Sequence, residues 1–392
     1  MKKIVAGLLS LVLFVFSAGA NSPPELQSRA AVVMDAATGT FVFLQNPDME
    51  IPPASLTKLM TMHLALREVA AGRASLDEVI VPPPESWAVN QPPRSSLMFL
   101  GPGQRLTLRE LLLGLSIPSG NDAAVAAALR FAPSVPEFAS MMTREAQAMG
   151  LTRTRFVEPS GISEYNMTTA REFAYFSRAY LALWPESLMA FHSLREFSFP
   201  QGHNVANPHG AVGTITQMNR NSLLEVVKGV DGLRTGFIYA SGFNISLTAE
   251  RNGTRFIAVI LGAPSESSRH DDGRELLEWA FDSYRTVRPQ IAALEPVRVW
   301  RGRENYVPIG WGAPLEFTAA AGRGEALTGH IEFQSPLVAP LPAGSPVGHI
   351  ALSDSLGELH RVPVVTARDV ERGGFFKRLF DSLRLFFARG RG

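Results

Sequence analysis

Two kinds of hydrophobic pattern divide the first part of the chain into strands and helices. Ala31 to Asp35 and Thr40 to Leu44 are β-rich runs around Ala37-Thr38-Gly39, and Gly242 to Ala249 and Phe256 to Gly262 alternate like strands around Arg251-Asn252-Gly253. Apolar residues recur at helical spacing in Ser55 to Ala71, Leu106 to Leu115, Asp122 to Phe131 and Arg274 to Tyr284. Strands from both ends and helices from the middle predict an α+β domain over residues 21–290, in which an antiparallel sheet packs between helix layers.

The pattern changes from about Leu294, where short apolar runs alternate with Gly/Pro-rich turns. These runs are Val297 to Trp300, Leu315 to Ala319, Ile331 to Phe333, Val347 to Leu352 and Leu359 to Val365. They predict a small all-β domain over residues 291–370. The scattered His330, His349 and His360 are interpreted as core or surface residues, without a chemical role.

Residues 373–390 predict an amphipathic helix set off by Gly373-Gly374. On a helical wheel one arc of about 140° holds the large apolar residues Phe375, Phe376, Leu379, Phe380, Leu383, Phe386 and Phe387. The other side holds Lys377, Arg378, Asp381 and Arg384, and only Leu385 breaks the pattern. Phenylalanines opposite a basic face favour a helix in a membrane surface; docking on the protein's own core is the alternative.

The N-terminal residues have the pattern of a secretory signal peptide. Lys2-Lys3 precede the apolar run Ile4 to Phe16, and Ala18-Gly19-Ala20 predicts cleavage before Asn21. This run is short for a transmembrane helix, which needs about twenty residues, although an uncleaved anchor remains the alternative. We therefore expect residues 1–20 to direct export of the protein.

Composition excludes several classes of function. The 392 residues carry a net charge of +1, which gives no support for nucleic-acid binding. There is no cysteine, so disulfides, thiolate nucleophiles and Cys-bound metals are excluded. None of the eight histidines belongs to a tight metal-ligand motif, and we predict neither a metal nor a cofactor.

The candidate chemistry begins with Ser55 and Lys58. Only five of the 37 basic residues are lysines, and Lys58 follows Ser55 by three positions on a predicted helix. Side chains three apart on a helix share a face, so the amine can reach the hydroxyl. A desolvated lysine can act as a base, whereas arginine is effectively never deprotonated. The pair therefore predicts a nucleophile with its activator.

Two further motifs make the functional interpretation of Ser55 and Lys58 more specific. Ser119-Gly120-Asn121 follows on a predicted turn. Asp231-Gly232-Leu233-Arg234-Thr235-Gly236 comes about a hundred residues later, and its Arg234-Thr235-Gly236 is predicted to begin the strand before the second hairpin. The order S-x-x-K, S-x-N and [K/R]-T-G is similar to the signature of serine β-lactamases and penicillin-binding proteins. With Ser95 to Leu100 and Gln217 to Asn221, the chain resembles the D-alanyl-D-alanine carboxypeptidases of the low-molecular-mass penicillin-binding type. This resemblance covers nearly the whole chain and implies a β-lactamase/transpeptidase-like catalytic domain, a small β domain and an amphipathic tail.

The resemblance implies a role for each motif residue. Ser55 forms the acyl-enzyme, Lys58 is the base, Ser119 relays a proton and Asn121 orients Lys58 or the substrate. The backbone N–H groups of Ser55 and Phe237 form the oxyanion hole. The candidate contacts to the substrate, among them those to its carboxylate, are Arg220, Arg234, Thr235, Gly236 and Phe237.

The chain departs from the family at two positions of the third motif. Arg234 stands where lysine is usual; a fixed charge is sufficient to hold a carboxylate, but the guanidinium is larger. Phe237-Ile238 stands where the family often has His-Thr, so a polar contact to the substrate is lost. The rate is therefore the property that the resemblance predicts least well.

The implied reaction is removal of the terminal D-alanine from peptidoglycan pentapeptides, with β-lactams as covalent inhibitors. The implied location is the periplasmic side of the cytoplasmic membrane, with Phe375 to Phe387 on the membrane surface. The alternatives are a D,D-endopeptidase, a class A-like β-lactamase and a non-catalytic wall-binding scaffold. Glu158-Pro159 supports the β-lactamase, but Ile162 stands where such an enzyme has asparagine.

Overall fold

The computed structural model describes residues 22–205, 213–291, 293–334 and 336–389. Two units are present: Pro23–Phe281 with Glu316–Thr318, and Asp282–Leu315 with the residues from Ala319 onward. The predicted signal peptide, residues 1–20, lies outside the described residues.

A five-stranded antiparallel sheet is the centre of the first unit. Its strand order is β2-β1-β9-β8-β7, so β7 lies at one end. The strands of this unit are β1 Ala30–Asp35, β2 Phe41–Gln45, β3 Val79–Ile80, β4 Leu106–Thr107, β5 Glu196–Phe199, β6 Ile215–Met218, β7 Val230–Ile238, β8 Gly242–Arg251 and β9 Thr254–Ala263. β1 is buried along its whole length, which explains the uninterrupted apolar run from Ala30 to Met34.

Helices cover both faces of this sheet. They are α1 Lys58–Ala70, α2 Leu108–Ser116, α3 Asn121–Phe131, α4 Val135–Ala148, α5 Ala170–Leu183, α6 Leu223–Val226 and α7 Glu266–Ser283. The Ser246 hydroxyl contacts Ser177 of α5, whereas Leu247 packs near Gly273 of α7. Adjacent residues of a strand point to opposite faces, so α5 and α7 lie on opposite sides. The predicted α+β class, with its sheet between helix layers, is confirmed.

Three predicted boundaries are wrong. Leu106 and Thr107 pair with Val79–Ile80 as β4, and α2 begins only at Leu108, because Thr107 forms a capping box with Glu110. Arg234-Thr235-Gly236 lies in the middle of β7 and does not begin a strand. Helix α7 begins eight residues before the predicted Arg274. Its first turns are polar, so the spacing of apolar residues did not indicate them.

The second unit contains a small β fold around its own core. Its strands are β10 Tyr284–Val287, β11 Val297–Arg298, β12 Tyr306–Val307, β13 Ile309–Trp311, β14 Phe317–Ala320 (which begins in the first unit), β15 Thr328–Phe333, β16 Pro346–Asp354 and β17 Gly357–Thr366. Four of them form the sheet β13-β17-β16-β15. The core includes Val299, Val347 and Val364. All five predicted apolar runs overlap one of these strands.

The amphipathic tail forms helix α8, Phe375–Arg389. Its seven large apolar residues are exposed, from 47% at Leu379 to 75% at Phe386. Asp381 and Leu385 on the other side are buried. Among the described helices, none has both the length and the apolar character needed to cross a bilayer.

Candidate active site

Ser55 and Lys58 lie where the chain enters its first helix. A 3-10 turn, Ala54–Thr57, leads into α1, which begins at Lys58. The Lys58 Nζ lies 3.0 Å from the Ser55 Oγ. Ala54 has a φ of +52°, a left-handed conformation that is unusual for a residue with a side chain. Such local strain is typical of functional sites, where the surrounding structure holds the backbone in place.

Two glycines let the backbone approach this turn closely. A Cβ atom at Gly161 would lie 1.8 Å from the Ala54 carbonyl oxygen. A Cβ atom at Gly236 would lie 2.9 Å from the Ser55 nitrogen. Both distances are shorter than any van der Waals contact, so the glycine of the third motif is required because β7 passes directly beside the Ser55 backbone.

The Lys58 amine has the surroundings of a base. It is fully buried and contacts three oxygens: the Ser55 Oγ at 3.0 Å, the Asn121 Oδ1 at 2.7 Å and the Ser160 carbonyl at 2.6 Å. Burial, and after it the charge of Arg234, holds the Lys58 pKa well below its usual value. Asn121 Oδ1 and the Ser160 carbonyl only accept hydrogen bonds, so they take both hydrogens of a neutral amine. The lone pair is then left for the Ser55 hydroxyl proton.

The side chains of the second motif, Ser119-Gly120-Asn121, project from a tight turn. Ser119 has a φ of +67°, and α3 begins at Asn121. The Ser119 Oγ accepts a hydrogen bond of 2.7 Å from the Arg234 Nη2. Its own hydroxyl proton is therefore available for transfer.

Arg234 is buried among protein acceptors. It is 3% exposed, and its guanidinium donates to the Ser55 carbonyl, the Ser116 carbonyl and the Ser119 Oγ. Burial and the charge of Arg220 lower the Arg234 pKa to about 9, which leaves it protonated at neutral pH. The exposed Arg220 follows β6 and its charge acts on Arg234, while Thr235, in the middle of β7, is 8% exposed.

A cavity of about 610 Å³ opens beside Ser55. Its lining includes Asn121, the residues that follow Gly236 on β7 and the loop from Gly161 to Tyr165. Among the described residues, no group of three or more His, Asp or Glu side chains could hold a metal ion.

The sequence analysis missed several parts of the site. The Ser160 carbonyl is held by a loop in which the Glu158 carboxylate accepts from the Ser160 and Gly161 N–H groups and from the Asn166 side chain. No sequence signal marks a backbone carbonyl. Asp122 accepts from the Met98 and Leu100 N–H groups, and burial raises its pKa. Its place directly after the S-G-N motif was the signal that could have shown it.

A buried polar chain lies behind Arg234 and was also missed. The Tyr180 hydroxyl lies 2.8 Å from the His192 Nε2, and the His192 Nδ1 lies 3.3 Å from the Ser116 Oγ. Burial, and then the charge of Arg234, lowers the His192 pKa to about 3, so the imidazole is neutral. This chain supports Ser116, whose carbonyl accepts from Arg234.

Comparison with known proteins gives the family. The family model described as D-alanyl-D-alanine carboxypeptidase matches residues 17–265, and penicillin-binding protein 5, C-terminal domain, matches residues 284–372. D-alanyl-D-alanine carboxypeptidase DacC of Escherichia coli (strain K12) is 32% identical over 99% of this chain and 96% of its own length. A D-alanyl-D-alanine endopeptidase of Pseudomonas aeruginosa is 30% identical over 79% of this chain and 97% of its own length.

Solved structures agree with this assignment. Penicillin-binding protein 5 from Haemophilus influenzae matches with a TM-score of 0.79 and 28% identity, covering 90% of this chain and 100% of that one. The resemblance predicted from the three motifs is therefore confirmed. The chain belongs to the D-alanyl-D-alanine carboxypeptidase family of low-molecular-mass penicillin-binding proteins.

Proposed function

We propose that this protein removes the terminal D-alanine from peptidoglycan pentapeptides through an acyl-enzyme on Ser55. The observation that carries the proposal is the buried Lys58 amine, 3.0 Å from the Ser55 hydroxyl and held by two pure acceptors. No metal or cofactor takes part in the proposed steps.

Acylation begins when Lys58 takes the Ser55 hydroxyl proton as the Oγ attacks the carbonyl between the two D-alanines. The N–H groups of Ser55 and Phe237 stabilise the oxyanion; the close passage of Gly236 beside the Ser55 nitrogen supports this pairing. The C–N bond then breaks as Ser119 passes its proton to the leaving amine of D-alanine and takes the proton held by Lys58 in exchange. In deacylation a water molecule loses a proton to Lys58 and attacks the ester carbonyl; the C–O bond to Ser55 breaks, and the Ser55 Oγ takes that proton from Lys58.

The substrate carboxylate is held near the middle of β7. The exposed Arg220 and the Thr235 hydroxyl make the direct contacts in this proposal, and Arg234 contributes its positive charge from behind Ser119. Because all of the described Arg234 contacts are to protein oxygens, its main role is to fix Ser119 and to keep Lys58 unprotonated.

The alternatives have weaker support. A β-lactamase would need Glu158 to activate water, but both oxygens of this carboxylate accept hydrogen bonds from its own loop. The endopeptidase relative covers less of this chain than the carboxypeptidase relatives do. A non-catalytic scaffold would not need a lysine kept neutral beside a serine.

We also propose that β-lactams acylate Ser55. Penicillin-binding protein D2 from Listeria monocytogenes, which was solved with cefotaxime and with ampicillin bound, matches with TM-scores of 0.58 and 0.56. Purified protein should release D-alanine from a peptide ending in D-Ala-D-Ala and should form a penicillin adduct. Ser55→Ala should do neither; D-alanine release by Ser55→Ala at the wild-type rate would refute the proposal.

The tail supports attachment to a membrane surface. The Asp381 carboxylate accepts a bond of 2.7 Å from the Arg301 N–H group, and Lys377 donates to Asn305 and Asp381. These contacts and the buried Leu385 fix the polar side of α8 on the β unit and leave the phenylalanines exposed. We propose a peripheral location on the periplasmic side of the cytoplasmic membrane, reached by export, with domains at 21–290 and 291–370 and a membrane helix at 373–390.

The membrane proposal is tested with anionic vesicles. Replacing Phe376, Phe380 and Phe387 together by serine should release the protein from vesicles and leave peptide hydrolysis unchanged. Phe333→Ser, at an exposed phenylalanine of the β unit, is the matched control and should still bind. Sedimentation of the triple variant with vesicles at the wild-type level would contradict the membrane role of α8.

A further inference from the structure

The loop of residues 158–166 is bonded to the start of α1 on both sides of the catalytic lysine. The Thr61 hydroxyl donates a hydrogen bond of 2.7 Å to the Pro159 carbonyl, and the Asn166 side chain donates one of 3.2 Å to the Thr57 Oγ1. All four residues are buried. Breaking such bonds leaves buried polar atoms without a partner, which destabilises the opened state. The 158–166 loop is therefore fixed relative to the helix that carries the lysine.

The Glu158 carboxylate holds this loop in shape. Its Oε2 accepts from the N–H and the hydroxyl of Ser160 at 2.7 and 2.6 Å. Its Oε1 accepts from the Gly161 N–H at 2.6 Å and from the Asn166 side chain at 2.9 Å. Both oxygens of a carboxylate accept hydrogen bonds, whereas the amide of glutamine accepts at one atom and donates at the other. The four donors that converge on Glu158 therefore require a carboxylate.

One peptide plane connects Glu158 to the Lys58 amine. The Gly161 N–H of this plane donates to Glu158, and the Ser160 carbonyl of the same plane accepts from the Lys58 Nζ at 2.6 Å. The N–H and C=O of a trans peptide are held in one plane and point in opposite directions. The bond to Glu158 thus turns the carbonyl toward Lys58. A carbonyl turned away would leave one hydrogen of the amine without an acceptor, and the lone pair would no longer be directed at Ser55.

We propose that Glu158 is a positioning residue for acylation and deacylation: it holds the Ser160 carbonyl on the Lys58 amine and so directs the lone pair of the amine to the reacting proton. The proposal rests on the carboxypeptidase function, in which Lys58 takes a proton first from the Ser55 hydroxyl and later from water. Glu158 itself neither gains nor loses a proton. This role differs from that of a glutamate that activates water, because both carboxylate oxygens already accept hydrogen bonds from the loop.

The charge of Glu158 acts on Lys58 in the opposite direction to that of Arg234. Burial is the largest cause of the low Lys58 pKa, and Arg234 of β7 lowers this pKa further. Glu158 of the loop and Asp122 of α3 raise it. Removing the Glu158 charge therefore lowers the Lys58 pKa and increases the neutral fraction of the amine at low pH, while the amine becomes less well placed at every pH. The two effects can be separated by a pH profile.

The test is acylation by a chromogenic cephalosporin from pH 5 to pH 10, followed by the slower turnover that reports deacylation. In Glu158→Gln both rates at high pH should fall by about tenfold or more, because misplacing a reacting group by about 1 Å costs up to about a hundredfold. The rise of the acylation rate with pH should move to lower pH. Glu158→Asp keeps the charge, and aspartate also accepts from the N–H two residues on. Its rise should stay at the wild-type pH, and its rates should fall less.

Glu172→Gln is the matched control. The buried Glu172 carboxylate on α5 accepts from the Arg153 N–H at 3.0 Å and from the Thr154 hydroxyl at 2.6 Å, so this change also removes hydrogen bonds that hold a loop of the same unit. It should lower the unfolding free energy and keep the pH profile of acylation.

A Glu158→Gln rate equal to that of the wild type at high pH, or lowered by one factor at every pH, overturns the positioning role, while D-alanine release by the wild type upholds the carboxypeptidase. If Glu158→Gln does not fold, wild-type rates in Glu158→Asp at high pH overturn the role. Failure of the wild type to release D-alanine refutes the proposed function and, with it, this inference.

Discussion

Replacing Arg234 by glutamine tests how the site keeps Lys58 neutral. Arg234 is the positive charge named among the causes of the lowered Lys58 pKa, and both side chains contact Ser55, Arg234 at the carbonyl and Lys58 at the Oγ. Two unit charges about 6 Å apart repel by about 3 kcal/mol at an effective dielectric constant of about 20. Removing the charge therefore raises the Lys58 pKa and increases the protonated fraction of the amine at a given pH. We expect acylation at pH 7 to slow by up to about a hundredfold from this cause.

The pH profile separates this effect from a lost contact. Acylation requires the neutral amine, so the rate rises with pH until Lys58 is deprotonated. In Arg234→Gln this rise should move to higher pH, and the defect should shrink as the pH increases. Loss of hydrogen bonds to the Ser116 carbonyl or the Ser119 Oγ would instead lower the rate by one factor at every pH.

The assay is stopped-flow acylation by a chromogenic cephalosporin from pH 5 to pH 10. Arg220→Gln is the matched control, because this exposed cation has no named effect on Lys58. It should weaken binding by the same factor at every pH. An Arg234→Gln defect that does not change with pH would refute the electrostatic role of Arg234.

Three further predictions each concern a single residue. Lys58→Arg should lower acylation by 10²-fold or more, measured as penicillin adduct, because a guanidinium is not a base at neutral pH; near-normal acylation would remove Lys58 as the base. The His192 pKa of about 3 lies below the unfolded value, so on acidification from about pH 6 to pH 4 the unfolded chain binds a proton that the native state does not. The wild type should lose about 1.4 kcal/mol of unfolding free energy per pH unit relative to His192→Gln in urea titrations, and parallel curves would contradict this. Gly161→Ala should cost about 3 kcal/mol of stability and abolish acylation, whereas Gly150→Ala, with similar φ but open space, should cost about 1 kcal/mol; equal costs would show that close approach to Ala54 is unimportant.

Local signals in the sequence were enough to predict the secondary-structure elements and the pairing of Ser55 with Lys58. The β-rich runs around Ala37-Thr38-Gly39 and the alternating runs around Asn252-Gly253 identified both hairpins, because their turn residues and strand patterns agree. Ser55 and Lys58 were paired correctly in space because their spacing is set by one turn of helix. Leu385, the one residue against the tail pattern, is buried, and this explains the exception.

Contacts between residues far apart in the chain could not be predicted from these local signals. Arg234 is expected to contact the substrate; the structure shows in addition that each of its three guanidinium nitrogens donates to a protein oxygen, two of them to the carbonyls of Ser55 and Ser116. The Ser160 carbonyl reaches Lys58 from a residue 102 positions away. Backbone carbonyls carry no residue type, so no pattern of side chains predicts where they meet.

The most direct test of the account is to locate the acyl group after a brief reaction with penicillin. The full-length protein, wild type and Ser55→Ala, is quenched in acid, digested and analysed by mass spectrometry. We predict one penicilloyl group on the peptide that contains Ser55 in the wild type and none in the variant. An adduct on another residue, or an unmodified Ser55 in protein that still releases D-alanine, would contradict the assignment of Ser55 as the nucleophile.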